Sequence, residues 1–417
     1  MKFAVIGGGM SGLSAARMLQ ERGCQVHVYE KASRPGGLVK CDMVHGTLYH
    51  MVGGHVFNSR RQDVLDWFWR FFHRDEEFYK ATRRAVVSLA DGTRVDYPIE
   101  NHLYQMPQRL QHAVIADLLE IYKAGYGEPS NFDEFLKTRF GKTLYDEYFH
   151  PYNDKIWQRP LTDVPLAWLQ GKLPMPTIPE ILEANIAQVN EMNMVHSTFW
   201  YPLHNGTQFV VDTLAKGLDI RLNADVQELE HRDGKWLVAG EQYDRVVYTG
   251  NARALPATVR GVAGLDDMEQ AVQKLEYHGT TSVLCEIDKN PYSWIYMPSK
   301  AHESHRIICT GNFSPNNDHS ERSTATVEFS RKMTVQEIEA NLAKIPLHPK
   351  YLAHHFEECT YPVQTTATKQ VIADLKNALE PHGFFLSGRF AEWEYYNMDA
   401  AIGAAMDMCN NRIDFNN

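Results

Sequence analysis

The chain has 417 residues, 44% of them hydrophobic and 23% charged, with a formal net charge of −10 at pH 7; that length allows about two to three domains with a sizeable core and excludes a disordered chain. No Lys/Arg block interrupts the acidic background, which excludes a general nucleic-acid surface and leaves any anionic ligand to individually placed arginines. No apolar run approaches the ~18 residues of a membrane span, and the six cysteines (Cys24, Cys41, Cys285, Cys309, Cys359 and Cys409) lack CxxC spacing, which argues against a zinc or other metal site and fits reduced thiols in a cytoplasmic protein.

Residues 2–6 are a short apolar run of strand type that follows Met1 directly, so no signal peptide is expected. The run feeds Gly7-Gly8-Gly9-Met10-Ser11-Gly12 and then a helix-like stretch over 13–19. This is the dinucleotide-binding fingerprint in its strand–turn–helix context. Gly7 makes the tight turn, Gly9 lets a pyrophosphate approach the backbone, and Gly12 lets helix pack on strand while the helix N-terminus faces the negative charge. A second strand over 25–29 ends at Glu30, placed to bond a ribose hydroxyl. Residues 31–38 are turn-rich. From about 60 to 200 the pattern is mainly helical, with apolar residues at helical spacing over 63–72 and 110–126, and the aromatic cluster at 67–72 reads as core.

Residues 223–229, which include Val226, read as a strand, followed by a hairpin whose turn is Arg232-Asp233-Gly234 and by a strand over 243–250 that returns to a parallel sheet. Strand-like runs at 281–285 and 306–310 suggest a sheet over the substrate. The last strand is 384–388, and an Ala-rich helix from about 400 to 409 follows, with Asn397 or Asp399 as its cap.

A Rossmann turn alone does not separate NAD from FAD. Glu30 followed by Arg34-Pro35-Gly36-Gly37-Leu38 resembles the FAD-binding amine oxidase and protoporphyrinogen oxidase group. Val52-Gly53-Gly54-His55-Val56-Phe57 resembles the Gly-Gly-His loop of UDP-galactopyranose mutases. Tyr97-Pro98-Ile99-Glu100-Asn101 is similar to their Tyr-Pro-Phe-Gln-Asn segment, and Tyr152-Asn153-Asp154-Lys155-Ile156-Trp157 to their Tyr-Asn-x-Lys-x-Trp. Trp294-Ile295-Tyr296-Met297-Pro298, Arg306 and Asn312-Phe313-Ser314-Pro315 resemble the eukaryotic-type mutases. Thr360-Tyr361-Pro362 and the stretch from Gly388-Arg389-Phe390 to Tyr395-Tyr396-Asn397-Met398-Asp399 resemble the C-terminal signature, so the matches run in order over nearly the whole chain.

The resemblance implies an α/β fold: a Rossmann-like FAD-binding domain (1–60, 201–256, 362–417) with a mainly helical insertion (61–200) and a substrate-covering antiparallel β-sheet domain (257–361). It implies FAD contacts from Gly7, Gly9, Ser11, Gly12, Glu30, Lys31, Gly36, Gly37, Leu38, Gly54, His55, Val226, Gly388, Arg389, Asn397, Met398 and Asp399. Arg306 and Arg389 would clamp a substrate diphosphate, a role suited to a guanidinium, which pairs bidentately with phosphate and stays charged. Tyr361 and Tyr395 would add phenol hydrogen bonds, Asn153 and Trp157 would line the nucleotide or sugar channel, and Glu100, Asn101, Tyr296, Asn312 and Phe313 complete the expected substrate set. His55 would lie near flavin N5 and help set its protonation.

The implied activity is that of an isomerase interconverting pyranose and furanose forms of a nucleotide-linked hexose through a reduced-FAD N5–sugar adduct, with NAD(P)H as reductant, a place in polysaccharide biosynthesis and a homo-oligomer as one option. Two alternatives stay open: a flavin oxidase or desaturase of the amine oxidase type, and a non-catalytic nucleotide-sugar binding protein. For single residues the plain readings are a surface ion pair for each arginine, core packing for Trp157 and the tyrosines, and a buried structural histidine for His55. Glu100 stands where the family pattern has Gln, and Phe313 where it has Tyr, a loss of one hydrogen bond worth ~1–2 kcal/mol if buried. These departures leave the sugar and the nucleotide open.

Overall fold

The computed structural model describes residues 1–166, 176–188, 197–318 and 321–415. Its centre is a five-stranded parallel sheet in the order Phe384–Leu386, Arg245–Tyr248, Lys2–Ile6, Gln25–Tyr29, Asp219–Arg221. The pleat sends alternate residues of one strand to opposite faces. Phe3 and Val5 therefore join a core with the helices Met10–Glu21, Gly206–Ala215 and Met398–Asn411, whereas Ala4 and Ile6 join a second core beneath Trp236, Leu255 and the helix Thr368–Leu379. Burial on both faces explains why the first strand reads as an unbroken apolar run. The aromatic cluster is core as expected, with Phe68 stacked on Phe57 at 3.6 Å between ring centroids.

The segment 223–229 differs from its expected strand. Asn223 has φ 52, which turns the chain as it leaves Asp219–Arg221. The backbone N–H groups of Asn223 and Ala224 then donate to the carbonyls of Ala32 and Glu30, each at 3.0 Å, so the segment holding Val226 is tied to the Glu30 turn and the next strand starts only at Leu229. The hairpin turn at Asp233-Gly234 is present, with φ 52 and 73 at the two positions, as a two-residue turn of this type requires.

A second, seven-stranded sheet runs Lys350–Val363, Glu276–Ile287, Ser323–Phe329, Arg306–Ile308, Trp294–Tyr296, Ala85–Ser88, Arg94–Asp96. Its last two strands come from the stretch expected to be mainly helical. They escape a periodicity reading because Ala85–Ser88 is buried at every position and shows no alternation. Phe78–Thr82 likewise pairs with Thr198–Pro202. The helices Gln62–Trp69 and Gln108–Ala124 lie where the apolar spacing predicts helix, and Phe132–Leu144, broken by a non-helical Gly141 at φ 82, His150–Trp157 and Ile178–Ala187 complete the helices of that stretch among the described residues. One face of the large sheet packs Val86, Ile295, Ile307, Val327 and Val283 against Ile338 and Leu342. The opposite face lines the cleft described next. Among the described residues, no helix is long and apolar enough to cross a membrane.

Candidate active site

At the nucleotide end the site is built from backbone. Gly7 has φ +106, and a Cβ on Gly12 would lie 1.9 Å from the Gly7 carbonyl oxygen, so neither position admits a side chain. Gly36 donates its N–H to the Gly8 carbonyl at 2.8 Å and bridges to Gly9, which brings the 36–38 turn onto the fingerprint turn. The buried Glu30 carboxylate accepts the N–H groups of Gly8 at 2.7 Å and Ala32 at 2.8 Å. Gly388 sits against Ser11. The helix Met10–Glu21 has neither a side-chain cap nor an acidic residue in its first turn, so its N–H groups and dipole are left for an anion. Two buried polar atoms without partners, Gln208 Oε1 and Ser387 Oγ, border the same region. This cradle fits a dinucleotide pyrophosphate. Lys31 is exposed beyond Glu30, and Leu38 packs on the second core. Asn397 occupies the cap position of Met398–Asn411 without a side-chain cap bond, Met398 is buried, and Asp399 lies in the first turn.

The Gly53-Gly54-His55 loop presses on the large sheet. Gly53 has φ +65 and donates its N–H to Ser282 Oγ at 3.1 Å; a Cβ there would meet Glu328 Oε1 at 3.0 Å, and one on Gly54 would meet Ile308 at 2.5 Å. His55 Nε2 is buried without a partner. Burial, then the nearby Arg389 charge, pushes the imidazole down to about 3, so it is neutral in the working range.

Strand register puts Tyr296 opposite Arg306, Arg306 opposite Glu328 and Glu328 opposite Ser282, a polar row on one face of the sheet. Arg306 Nε donates to the Glu328 carboxylate, and its Nη2 donates to Tyr361 Oη at 2.9 Å. His305 Nε2 lies 3.4 Å from the same carboxylate. Glu328 is 1% exposed; burial disfavours its charge, yet Arg306 and then His305 hold it down to about 2. Tyr361 stacks on Tyr395 at 5.5 Å and on His278 at 5.0 Å, and the Arg389 guanidinium caps the column 4.8 Å from the Tyr395 ring. Arg389 Nη1 donates to the Thr360 carbonyl at 3.0 Å and its Nε to the Tyr396 carbonyl at 3.1 Å.

The structure therefore gathers His55, Arg306, Tyr361, Arg389, Tyr395 and Tyr296 around one cleft. Other expected residues are placed differently. Phe313 is fully buried among Phe199, Tyr201 and Trp294 beneath Gly54, so its ring supports the loop from below; a phenol there would be buried in the same core. Asn312 spends its amide on the carbonyls of Asn290 and Tyr292. Trp157 packs edge-on to Phe132 in the helical core, and Asn153 donates back to Phe149 O within its helix. Glu100 and Asn101 are buried in the turn after Pro98.

Four residues outside the expected set belong to the same region. Glu328 and His305 fix Arg306. Lys155 donates to the carbonyls of Met297 at 2.8 Å and Ser304 at 2.9 Å, pinning the turn between Tyr296 and Arg306 to the helix His150–Trp157, and burial pushes its ammonium down to about 7. Arg83 donates to Tyr296 Oη at 2.7 Å and lies over the rings of Tyr97 and Trp294 at 5.5 and 5.3 Å. The Lys in Tyr-Asn-x-Lys-x-Trp is the one sequence signal among the four.

The profile of the family described as flavin containing amine oxidoreductase matches residues 10–410. The chain is 26% identical to an Escherichia coli dTDP-fucopyranose mutase over 42% of this chain and 46% of that one. It is 25% identical to a Mycoplasma pneumoniae UDP-galactopyranose mutase over 39% and 42%. Each match spans less than half the length of the curated relative. The fold is similar to that of a reduced UDP-galactopyranose mutase with a TM-score of 0.87, 21% identity and coverage of 98% and 93%. A family profile matching from the fingerprint helix to the last helix, on this backbone cradle, means that the chain belongs to the flavin containing amine oxidoreductase family.

Proposed function

We propose that the protein is an FAD-dependent isomerase that interconverts pyranose and furanose forms of a nucleoside-diphosphate hexose, with NAD(P)H as reductant. One juxtaposition carries the reading: the Gly53–His55 loop lies on the sheet face that also presents Arg306 and the Tyr361–Tyr395 column. An oxidase has no need for such a cluster of cations and phenols beside its flavin.

Gly7, Gly9, Gly12, Glu30 and Gly388 would hold the dinucleotide, and the neutral His55 would face the isoalloxazine. Reduced FAD, when bound, supplies a nucleophilic N5 toward the anomeric carbon. The protein supplies the rest. Arg306 and Arg389 stabilise charge developing on the departing diphosphate, a preorganised electrostatic contribution that needs no reorientation because Glu328 and two backbone carbonyls already fix both guanidiniums. The stacked column shields this end of the cleft from water, and His55, unprotonated, accepts a hydrogen bond at Nε2 without adding charge.

The test is to reduce the holoprotein anaerobically with dithionite and follow a panel of nucleotide sugars by mass-resolved chromatography. A product of unchanged mass that forms only with reduced protein is expected. Peroxide release with a product two electrons more oxidised would move the assignment to the oxidase.

A further inference from the structure

The column that starts at the Arg389 guanidinium and runs through Tyr395 and Tyr361 ends on His278, a residue that stands in none of the sequence motifs. His278 is the cross-strand partner of Tyr361, and cross-strand partners share a face, so its ring stands on the same side of the sheet as the phenol that receives Arg306. The pairing is irregular just beyond it. A register shift lies between His278 and Thr280, and such a bulge re-aims the side chain beside it. Gly279 permits the close approach, since a Cβ there would meet the Phe356 ring at 2.6 Å and the Glu357 carbonyl oxygen at 2.7 Å.

The surroundings fix the chemistry of this ring as well as its pose. Nδ1 lies 3.3 Å from the Gly279 carbonyl oxygen, a contact that only an N–H makes, so the proton sits on Nδ1 and Nε2 is an acceptor. Burial pushes the imidazole down to about 4, so the half-buried ring is neutral in the working range. Nε2 makes no hydrogen bond among the described residues and, unlike Nε2 of His55, is not sealed from solvent. The neighbouring groups of the cleft are donors, the guanidiniums and phenols that suit phosphoryl oxygens. Nearby acceptors are already engaged, Glu328 by Arg306 and the carbonyls of Thr360 and Tyr396 by Arg389. A diphosphate oxygen is itself an acceptor and cannot satisfy His278 Nε2; a hydroxyl can.

Resting on the mutase reading, we infer that His278 is a specificity-determining residue whose Nε2 accepts a hydrogen bond from a hydroxyl of the nucleotide sugar, on its ribose or on its hexose. The arginines hold the diphosphate that all such ligands share, and His278 sorts them by hydroxyl pattern. A site built to bond a hydroxyl rejects the analogue that lacks it, because the acceptor is then left unpaired. The Tyr361 stack and the Gly279 contact hold the ring before the ligand arrives, so little ordering is left for binding to accomplish.

The test is calorimetric titration of the FAD-loaded wild type and the variants His278→Phe and His278→Gln with UDP, dTDP, UDP-galactose, dTDP-fucose and inorganic pyrophosphate. His278→Phe keeps a ring on Tyr361 and removes the acceptor. It should weaken every ligand that carries the recognised hydroxyl about 3- to 15-fold and leave pyrophosphate within about twofold. Loss confined to the two nucleotide sugars assigns a hexose hydroxyl, and loss in UDP-galactose alone assigns its 6-hydroxyl, which fucose lacks. Loss confined to UDP and UDP-galactose assigns the ribose 2′-hydroxyl, which dTDP lacks, and loss in all four assigns the 3′-hydroxyl. His278→Gln, which returns an acceptor oxygen without the ring, should show the same pattern at smaller size, and it carries the test if the Phe variant does not fold. Equal binding of all four nucleotides by wild type and variants, or a pyrophosphate loss as large as theirs, would overturn the role of His278 alone. A wild type that binds none of the four nucleotides would overturn the mutase reading and this role with it.

Discussion

The nucleotide end of the cleft offers a close-packed glycine turn and the uncapped first turn of one helix, whereas the sheet end offers side chains from strands that lie far apart in the chain. Glycine fixes the first: Gly7 and Gly12 leave no room for a Cβ, so the geometry is encoded within six consecutive residues. Register fixes the second: Tyr296, Arg306, Glu328 and Ser282 meet because four strands pair in one alignment. A backbone site tolerates any side chain that points away from it. A register site fails when one partner is lost, because its neighbours keep their charge.

The sharpest way to break the comparison is Gly12→Val, which sets a side chain against the Gly7 carbonyl. It should destabilise the fold by more than about 4 kcal/mol and abolish flavin retention, read from the visible absorbance of the purified protein; a yellow, cooperatively melting variant would show the turn to be less constrained than described. Next comes Glu328→Gln. It leaves the buried Arg306 unpaired and should cost about 3 kcal/mol by chemical denaturation while flavin content holds, which separates the two ends.

Acid should act at the sheet end as well. His55 is held at about 3 against an ordinary 6.5, so the unfolded chain takes up the proton first. Stability from this residue is full above 6.5 and is lost as the pH falls toward 3. The urea midpoint of wild type should drop across that window, and His55→Gln should flatten the drop; parallel curves would remove His55 from the account. The smallest effect is Lys155→Met. Two lost hydrogen bonds are offset by relief of a desolvated ammonium, so stability should stay within about 1 kcal/mol of wild type. The loosened turn should instead raise KM for the nucleotide sugar, and an unchanged KM would make Lys155 a packing residue.

The same contrast explains what could be read from the chain. The fingerprint, its strand and Glu30 are local, and Arg306, Arg389 and the Gly-Gly-His loop stand inside motifs. Arg83 and Glu328 carry no local mark, since one meets Tyr296 through an unforeseen parallel pairing of Ala85–Ser88 with Trp294–Tyr296 and the other faces Arg306 across a strand pair. Phe313 reads as a substituted ligand in a motif, yet its ring lies beneath Gly54 in an aromatic core that alignment to a pattern does not reveal. The segment 223–229 has strand composition, but the positive φ at Asn223 turns it out of the sheet.

Arg389 ties these two ends together. Its guanidinium grips the carbonyl of Thr360, in the long edge strand of the large sheet, and that of Tyr396, two residues before the helix that closes the nucleotide-binding core. A ligand that pulls on this side chain at one end shifts a peptide group at the other. Binding free energies are reciprocal, so whatever factor a phosphorylated ligand adds to the affinity for flavin, flavin must return to the affinity for that ligand. The two sites would then titrate as one thermodynamic unit.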